Sequence, residues 1–70
     1  MSTKRLALIL ARERLGLAKS QVALSVGITA QRYRRIEADV HVKVDVEEAY
    51  RIAKVLGHEH PRELFLLSYV

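Results

Sequence analysis

The chain has no cysteine among its 70 residues, which removes disulfides, thiolate metal sites and a thiol nucleophile together. Without the staples that small secreted domains rely on, the composition favours a reducing interior. Long hydrophobic runs are missing as well. The longest purely apolar stretch is Leu6 to Ala11, where a bilayer-spanning helix needs roughly 20 such residues. Lys4 and Arg5 give that run a basic start, but Arg12, Glu13 and Arg14 follow where a signal peptide would place small cleavage residues. No repeat, low-complexity stretch or linker is present. Ser20, Ser25 and Ser68 have no accompanying His/Asp arrangement, and a chain this short leaves little room for a substrate pocket. Three histidines, His41, His58 and His60, stand without a cysteine to assist them, so neither a metal site nor a cofactor is expected. These absences leave a single, soluble, cytoplasmic domain spanning residues 1–70, with no expectation of catalysis.

What is present is a globular composition, half hydrophobic and 29% charged. A domain of this length buries only roughly 60% of its unfolded surface, so its stability is marginal or shared with a partner. The formal charge of +4 is unevenly placed. Residues 1–39 hold eight basic side chains against three acidic ones, and residues 40–70 hold four against five. A basic half joined to a near-neutral half points to a polyanion-facing surface on the first and a structural or partner role for the second.

Three glycines and one proline punctuate the chain. Thr3 is placed to cap a helix running to about Leu15, with Gly16 just past its end. A second helix, Lys19 to Val26, stops at Gly27. Thr29 caps a third, Ala30 to Ala38, and Asp45 a fourth, Val46 to Leu56, whose first turn carries Glu47 and Glu48 where the dipole favours negative charge. Gly57 closes that helix, and Pro61 opens a last one running to about Ser68. Val40, Val42, Val44 and Val46 alternate with polar residues at the period of a half-buried strand. A lone strand cannot satisfy its own backbone. The segment is therefore expected as an extended loop against the helices, with pairing to a second copy as the alternative.

Between Leu17 and Asp39 the spacing becomes specific. Val22, Ala23, Val26, Ile28, Tyr33 and Ile36 are apolar where two short helices crossing at a tight turn bury against each other. The outward positions of the third helix are then Gln31, Arg32, Arg34 and Arg35. Arginine offers a fork that matches guanine O6 and N7, and glutamine pairs bidentately with adenine.

The stretch LAKSQVALSVGITAQRYRRIEAD resembles the helix-turn-helix of the Cro/repressor (XRE) family, which has the lambda-repressor-like fold. Leu17, Val22-Ala23, Gly27, Thr29 and Ile36-Glu37 carry the match. RERLG resembles the end of the family's first helix and EAYRIAKVLG its fourth, so the likeness covers about residues 6 to 65. It implies an all-α, compact four- to five-helix domain with the helix-turn-helix at helices 2 and 3. It also implies a repressor-like regulator that occupies an operator in double-stranded DNA, in the cytoplasm with the nucleoid. Ala30, Gln31, Arg32, Arg34 and Arg35 would lie nearest the bases, with Gln31 and Arg35 the foremost base readers. Lys19, Ser20 and Thr29 would address phosphate. The chain departs from the family pattern at Lys19, where glutamine is common, at Tyr33, where an aliphatic residue is common, and at Ala38-Asp39, where asparagine-glycine is common.

The same pattern implies an ion pair between Arg12 and Glu37 that fixes the recognition helix on the scaffold. On a helical wheel Arg12 lies beside an apolar face of Leu8, Ala11 and Leu15, while Leu6, Ile9 and Leu10 form a second apolar face that needs a cover. Residues 58–70 can supply it, over their own helix 1 or a second subunit's, with Leu64, Phe65, Leu67, Tyr69 and Val70 at the subunit contact in the second case. A homodimer built on that contact would read paired half-sites of a palindromic operator. The alternative reading is an antitoxin-type or other protein-interaction module that uses the same C-terminal apolar surface.

Overall fold

Two side-chain caps and two glycines set most of the helix boundaries. In the computed structural model, which describes residues 3–65, helix α1 spans Leu6–Arg14, α2 Lys19–Val26, α3 Ala30–Ala38 and α4 Val46–Val55. A short 3-10 helix, Pro61–Glu63, follows α4, and no strand occurs among the described residues. Thr29 Oγ1 accepts the Arg32 N–H at 3.0 Å and starts α3, and Asp45 Oδ1 accepts the Glu48 N–H at 2.9 Å and starts α4. Gln21 reaches back to accept the Ala18 N–H at 2.7 Å, so α2 begins with half of a capping box.

The helices close on a core of Leu8, Val22, Ala23, Val26, Tyr33, Ile36, Ala49, Ile52, Ala53 and Leu56, with Leu64 and Phe65 beneath. The third helix packs chiefly on α2 and also on α1, α2 packs on α4, and the 3-10 helix packs on α4. The fold is all-α, as the helical punctuation implies.

Several local expectations are corrected. Thr3 does not cap α1; the helix starts after Arg5, without a side-chain cap. Leu15 does not join Leu8 and Ala11 in the core but is exposed as the C-cap of α1, its N–H bonded back to Arg12 O. The last helix is a single 3-10 turn within the described residues, and its expected continuation to Ser68 lies outside them. The period-two stretch is a turn at residues 40–42 followed by extended chain to Asp45, with Val42 and Val44 packed against the core. It is a loop against the helices.

The end of α3 raises a physical question. Helices very commonly end on a glycine in the left-handed conformation that satisfies their last carbonyls, but α3 runs into Asp39 at φ −149°, ψ 116°. Arg5 does the work instead. Its backbone N–H donates to Glu37 O at 2.9 Å, and its guanidinium donates to Ile36 O, Asp39 O at 3.1 Å, Val40 O at 3.1 Å and Val42 O at 2.7 Å. The side chain is buried and lies over the Phe65 ring, 5.4 Å from its centroid. Burial pushes the guanidinium down from its usual value, with the Asp39 charge opposing. A cation at the C-terminal end of a helix also has the favourable sign for the dipole. Thr3 O adds a bond from Val40 N at 2.8 Å, so the segment before α1 and the segment after α3 are tied together.

Arg5→Met keeps the packing over Phe65 but strands these carbonyls. It is expected to cost about 3 kcal/mol by urea unfolding, most of it from the buried Ile36 carbonyl. Arg5→Lys should recover only part, since an ammonium cannot reach four acceptors spread across a fork. A change below about 1 kcal/mol in Arg5→Met would show that water replaces the guanidinium without loss.

Candidate nucleic-acid interface

The turn between α2 and α3 depends on Gly27, whose φ of +90° lies in the left-handed region. Its N–H and that of Ile28 both bond to Ala23 O, at 2.9 and 3.0 Å, closing α2 tightly enough for α3 to start three residues later. Ala23, buried at the crossing, has no bulk to hold the helices apart. Val22, Val26, Tyr33 and Ile36 fill the space between, and Ile28 is packed against its edge.

One face of α3 is therefore consumed by the core: Tyr33, Ile36 and Glu37 are buried. At 3.6 residues per turn the opposite face carries Gln31, Arg35 and Ala38, with Arg34 at one margin and Arg32 at the other. Gln31, Arg34 and Arg35 are exposed, and Ala30 is half-buried at the first turn. Lys19 and Ser20 are exposed in the first turn of α2, and Thr29 is exposed while its hydroxyl caps α3. Among the expected DNA-facing residues, Gln31, Arg34 and Arg35 thus share one outward surface.

Arg32 is placed differently. Its Nε and Nη2 grip the two carboxylate oxygens of Glu48 at 2.9 and 2.7 Å, and Nη2 also donates to Lys43 O at 3.0 Å. The Glu48 carboxylate is largely buried, and hydrogen bonding to it raises Arg32 above its usual value.

The anchor on the inner side of α3 is Glu37, 1% exposed. Arg12 Nε donates to its Oε2 at 2.7 Å and Nη2 to its Oε1 at 3.2 Å, a bidentate pair, while Arg12 Nη1 donates to Leu17 O at 2.8 Å. One guanidinium from α1 thereby fixes both the recognition helix and the chain entering α2. Hydrogen bonding to Glu37 holds Arg12 firmly in its charged form. Tyr33 Oη is buried close to this pair and makes no hydrogen bond among the described residues. Burial first, and the Glu37 carboxylate after it, push the phenol well above its usual value.

The expected subunit contact needs correction in part. Leu64 and Phe65 are 4% and 2% exposed, packed into the chain's own core, where they cannot also face a second subunit. Leu67, Tyr69 and Val70 lie outside the described residues. The exposed large apolar side chains on α1 are Leu6 and Leu10. Of the histidines, His58 sits 3.4 Å from the Glu63 carboxylate, and among the described residues no group of three potential ligands is placed to hold a metal ion. No helix among them is long and apolar enough to cross a membrane.

Arg5 escapes a reading from composition, which counts it only among the basic residues. The signal that points to it is the missing glycine after α3: some donor from elsewhere in the chain has to close that helix.

Two short helices crossing at a glycine turn, the second bearing an exposed cationic and amide face, define a helix-turn-helix protein. Residues 8–64 match the helix-turn-helix family model, and the chain belongs to the Cro/repressor-type (XRE) family of DNA-binding transcription regulators. Neither the curated proteins nor the solved structures contain a significant match to it.

Two outcomes follow from the buried anchor. Arg12→Met should cost on the order of 3–5 kcal/mol in thermal or urea unfolding, because it strands the Glu37 charge, and Arg12→Met/Glu37→Met should regain much of that. Tyr33→Phe removes a hydroxyl with no bond and should leave neutral-pH stability within about 1 kcal/mol of the parent. The folded phenol titrates above its ordinary value of 10.0, so the unfolded chain ionises first. Stability is then intact below that pH and falls as pH rises through it. Tyr33→Phe should flatten that alkaline loss in unfolding curves measured across it.

Proposed function

We propose that the protein is a repressor-like regulator that occupies a palindromic operator as a two-fold homodimer, with α3 in the major groove. The observation that carries this reading is the two-sidedness of α3. One side is locked into the core through Tyr33, Ile36 and the Arg12–Glu37 pair, and the other presents Gln31, Arg34 and Arg35 to solvent. A rigid donor face of this kind suits base edges, whose recognition tolerates little misplacement. Gln31 and Arg35, at the centre of the face, read bases. Arg34 at its margin reaches a base or the adjacent phosphate, and Ala30 leaves the first turn free to approach closely. Lys19 and Ser20 at the start of α2 and Thr29 at the start of α3 address phosphates, where helix N-terminal amides assist.

Dimerisation is supported by Leu6 and Leu10, which stand 63% and 55% exposed on α1 with Ile9 half-buried beside them. Operator occupancy places the protein in the cytoplasm with the nucleoid. The same apolar face favours, as a second reading, an antitoxin-type module that grips an unlike protein, and stable co-purification with such a partner would support it.

Selection of bound sequences from a random duplex pool tests the principal reading and should return two inverted half-sites about one helical turn apart. On the selected duplex, Gln31→Ala and Arg35→Ala should each cost about 1–3 kcal/mol and relax preference at one base pair, with little change on random-sequence duplex. Lys19→Ala should weaken both duplexes alike and reduce the salt slope by about one. A parent protein that enriches no sequence, or base-face variants that leave the specific to non-specific ratio unchanged, would overturn this assignment.

A further inference from the structure

Arg32 lies on the helix that carries the base-reading face, yet its guanidinium is turned away from that face. It grips both oxygens of Glu48, at 2.9 and 2.7 Å, and the Lys43 carbonyl at 3.0 Å, so that all three contacts lie on α4 or the loop before it. Arg32 and Glu48 border a recess between α3 and the start of α4 whose lining also includes Asp45, Glu47 and Arg51. Three carboxylates therefore surround the spot where this arginine is held, and Asp45 is spent on capping α4 while Glu47 pairs with Arg51. Glu48 is the carboxylate that bonds Arg32, with the Asp45 charge adding to its hold. The arginine remains 41% exposed at the margin of the DNA-facing surface, whereas the carboxylate that holds it is only 10% exposed.

We propose that Glu48 acts as an internal substitute for phosphate, withholding Arg32 from DNA and making it a positioning residue that braces α3 against α4. This inference rests on the DNA-binding reading above. An arginine bound bidentately to a carboxylate releases no counterion from DNA, so it adds nothing to the sequence-independent part of binding. Non-specific affinity is what competes with the operator across a genome, and specificity is the ratio of the two. Holding one cation of the recognition helix against Glu48 lowers the denominator of that ratio while Gln31 and Arg35 keep their freedom to read bases. Arg32 also joins the recognition helix to the loop through Lys43 O.

The test measures binding of the full chain to a random-sequence duplex across a salt series, for the parent, Glu48→Gln, Arg32→Met and the double variant, each checked for helical circular dichroism. Glu48→Gln keeps the shape of the side chain but removes the charge. It is expected to tighten non-specific binding roughly three- to tenfold at low salt and to steepen the log–log salt slope by about 0.9, one further phosphate contact. Arg32→Met should leave the parent's slope unchanged and should abolish the gain when combined with Glu48→Gln. A Glu48→Gln protein with the parent's slope overturns the proposal. So does a gain that survives in the double variant, which would mark a general charge effect, or an Arg32→Met protein whose slope drops by one, which would show that Arg32 already meets DNA. Should Glu48→Gln fail to fold, the Arg32→Met slope still decides between these outcomes. A parent that binds no duplex at any salt defeats the DNA-binding reading itself and takes this inference with it. The overturning results in a duplex-binding parent defeat the inference alone.

Discussion

A carboxylate buried as deeply as Glu37 must be paired, and nearly every feature that orients the recognition helix follows from how that is done. Glu37 sits on the inner face of α3, bonded through both oxygens to Arg12 of α1, and its backbone carbonyl accepts from Arg5. An isolated charge at this depth would be prohibitively costly, so the helix has little freedom to roll or slide without breaking the pair. Arg12 extends the constraint to Leu17, the residue that leads into α2. The two helices of the helix-turn-helix are thus referred to one guanidinium, and apolar packing of Val22, Ala23, Tyr33 and Ile36 fills the space that this geometry defines.

Arginine serves four physical purposes in this small domain, and its chemistry alone does not separate them. Arg12 neutralises a buried acid. Arg5 closes a helix by feeding donors to four carbonyls, a task that a planar fork with five N–H groups performs and lysine does not. Arg32 ties α3 to α4 through Glu48. Arg34 and Arg35 remain exposed on the outward face of α3. A net charge of +4 therefore understates the division of labour, since part of the basic half is used internally to hold the scaffold that displays the rest.

Much of the fold is legible in one dimension because its causes are local. Gly27 with a positive φ, Thr29 and Asp45 as caps, and the apolar spacing from Val22 to Ile36 are short-range signals, and the helices begin and end within a residue or two of them. The family likeness of Arg12 and Glu37 likewise points to a pair that the structure contains. The misplacements share a different cause. Leu15 reads as core only if a neighbouring element covers the end of α1, and it is left exposed there. Leu64 and Phe65 read as a subunit surface only if the core beneath α4 is already full, and it is not: they complete it. Arg5 and the Arg32–Glu48 pair join residues 31–37 and 16 positions apart, distances over which no periodicity carries information.

The sequence by itself determined the helical class, the glycine turn and which residues of α3 can face outward, because caps, left-handed glycines and the 3.6-residue period act within one or two turns of chain. Only the tertiary structure decided which cations are spent and which are displayed. A guanidinium goes to the nearest anion or unsatisfied carbonyl in space, and which groups those are is settled when α1, α3, α4 and the loop between the last two come together.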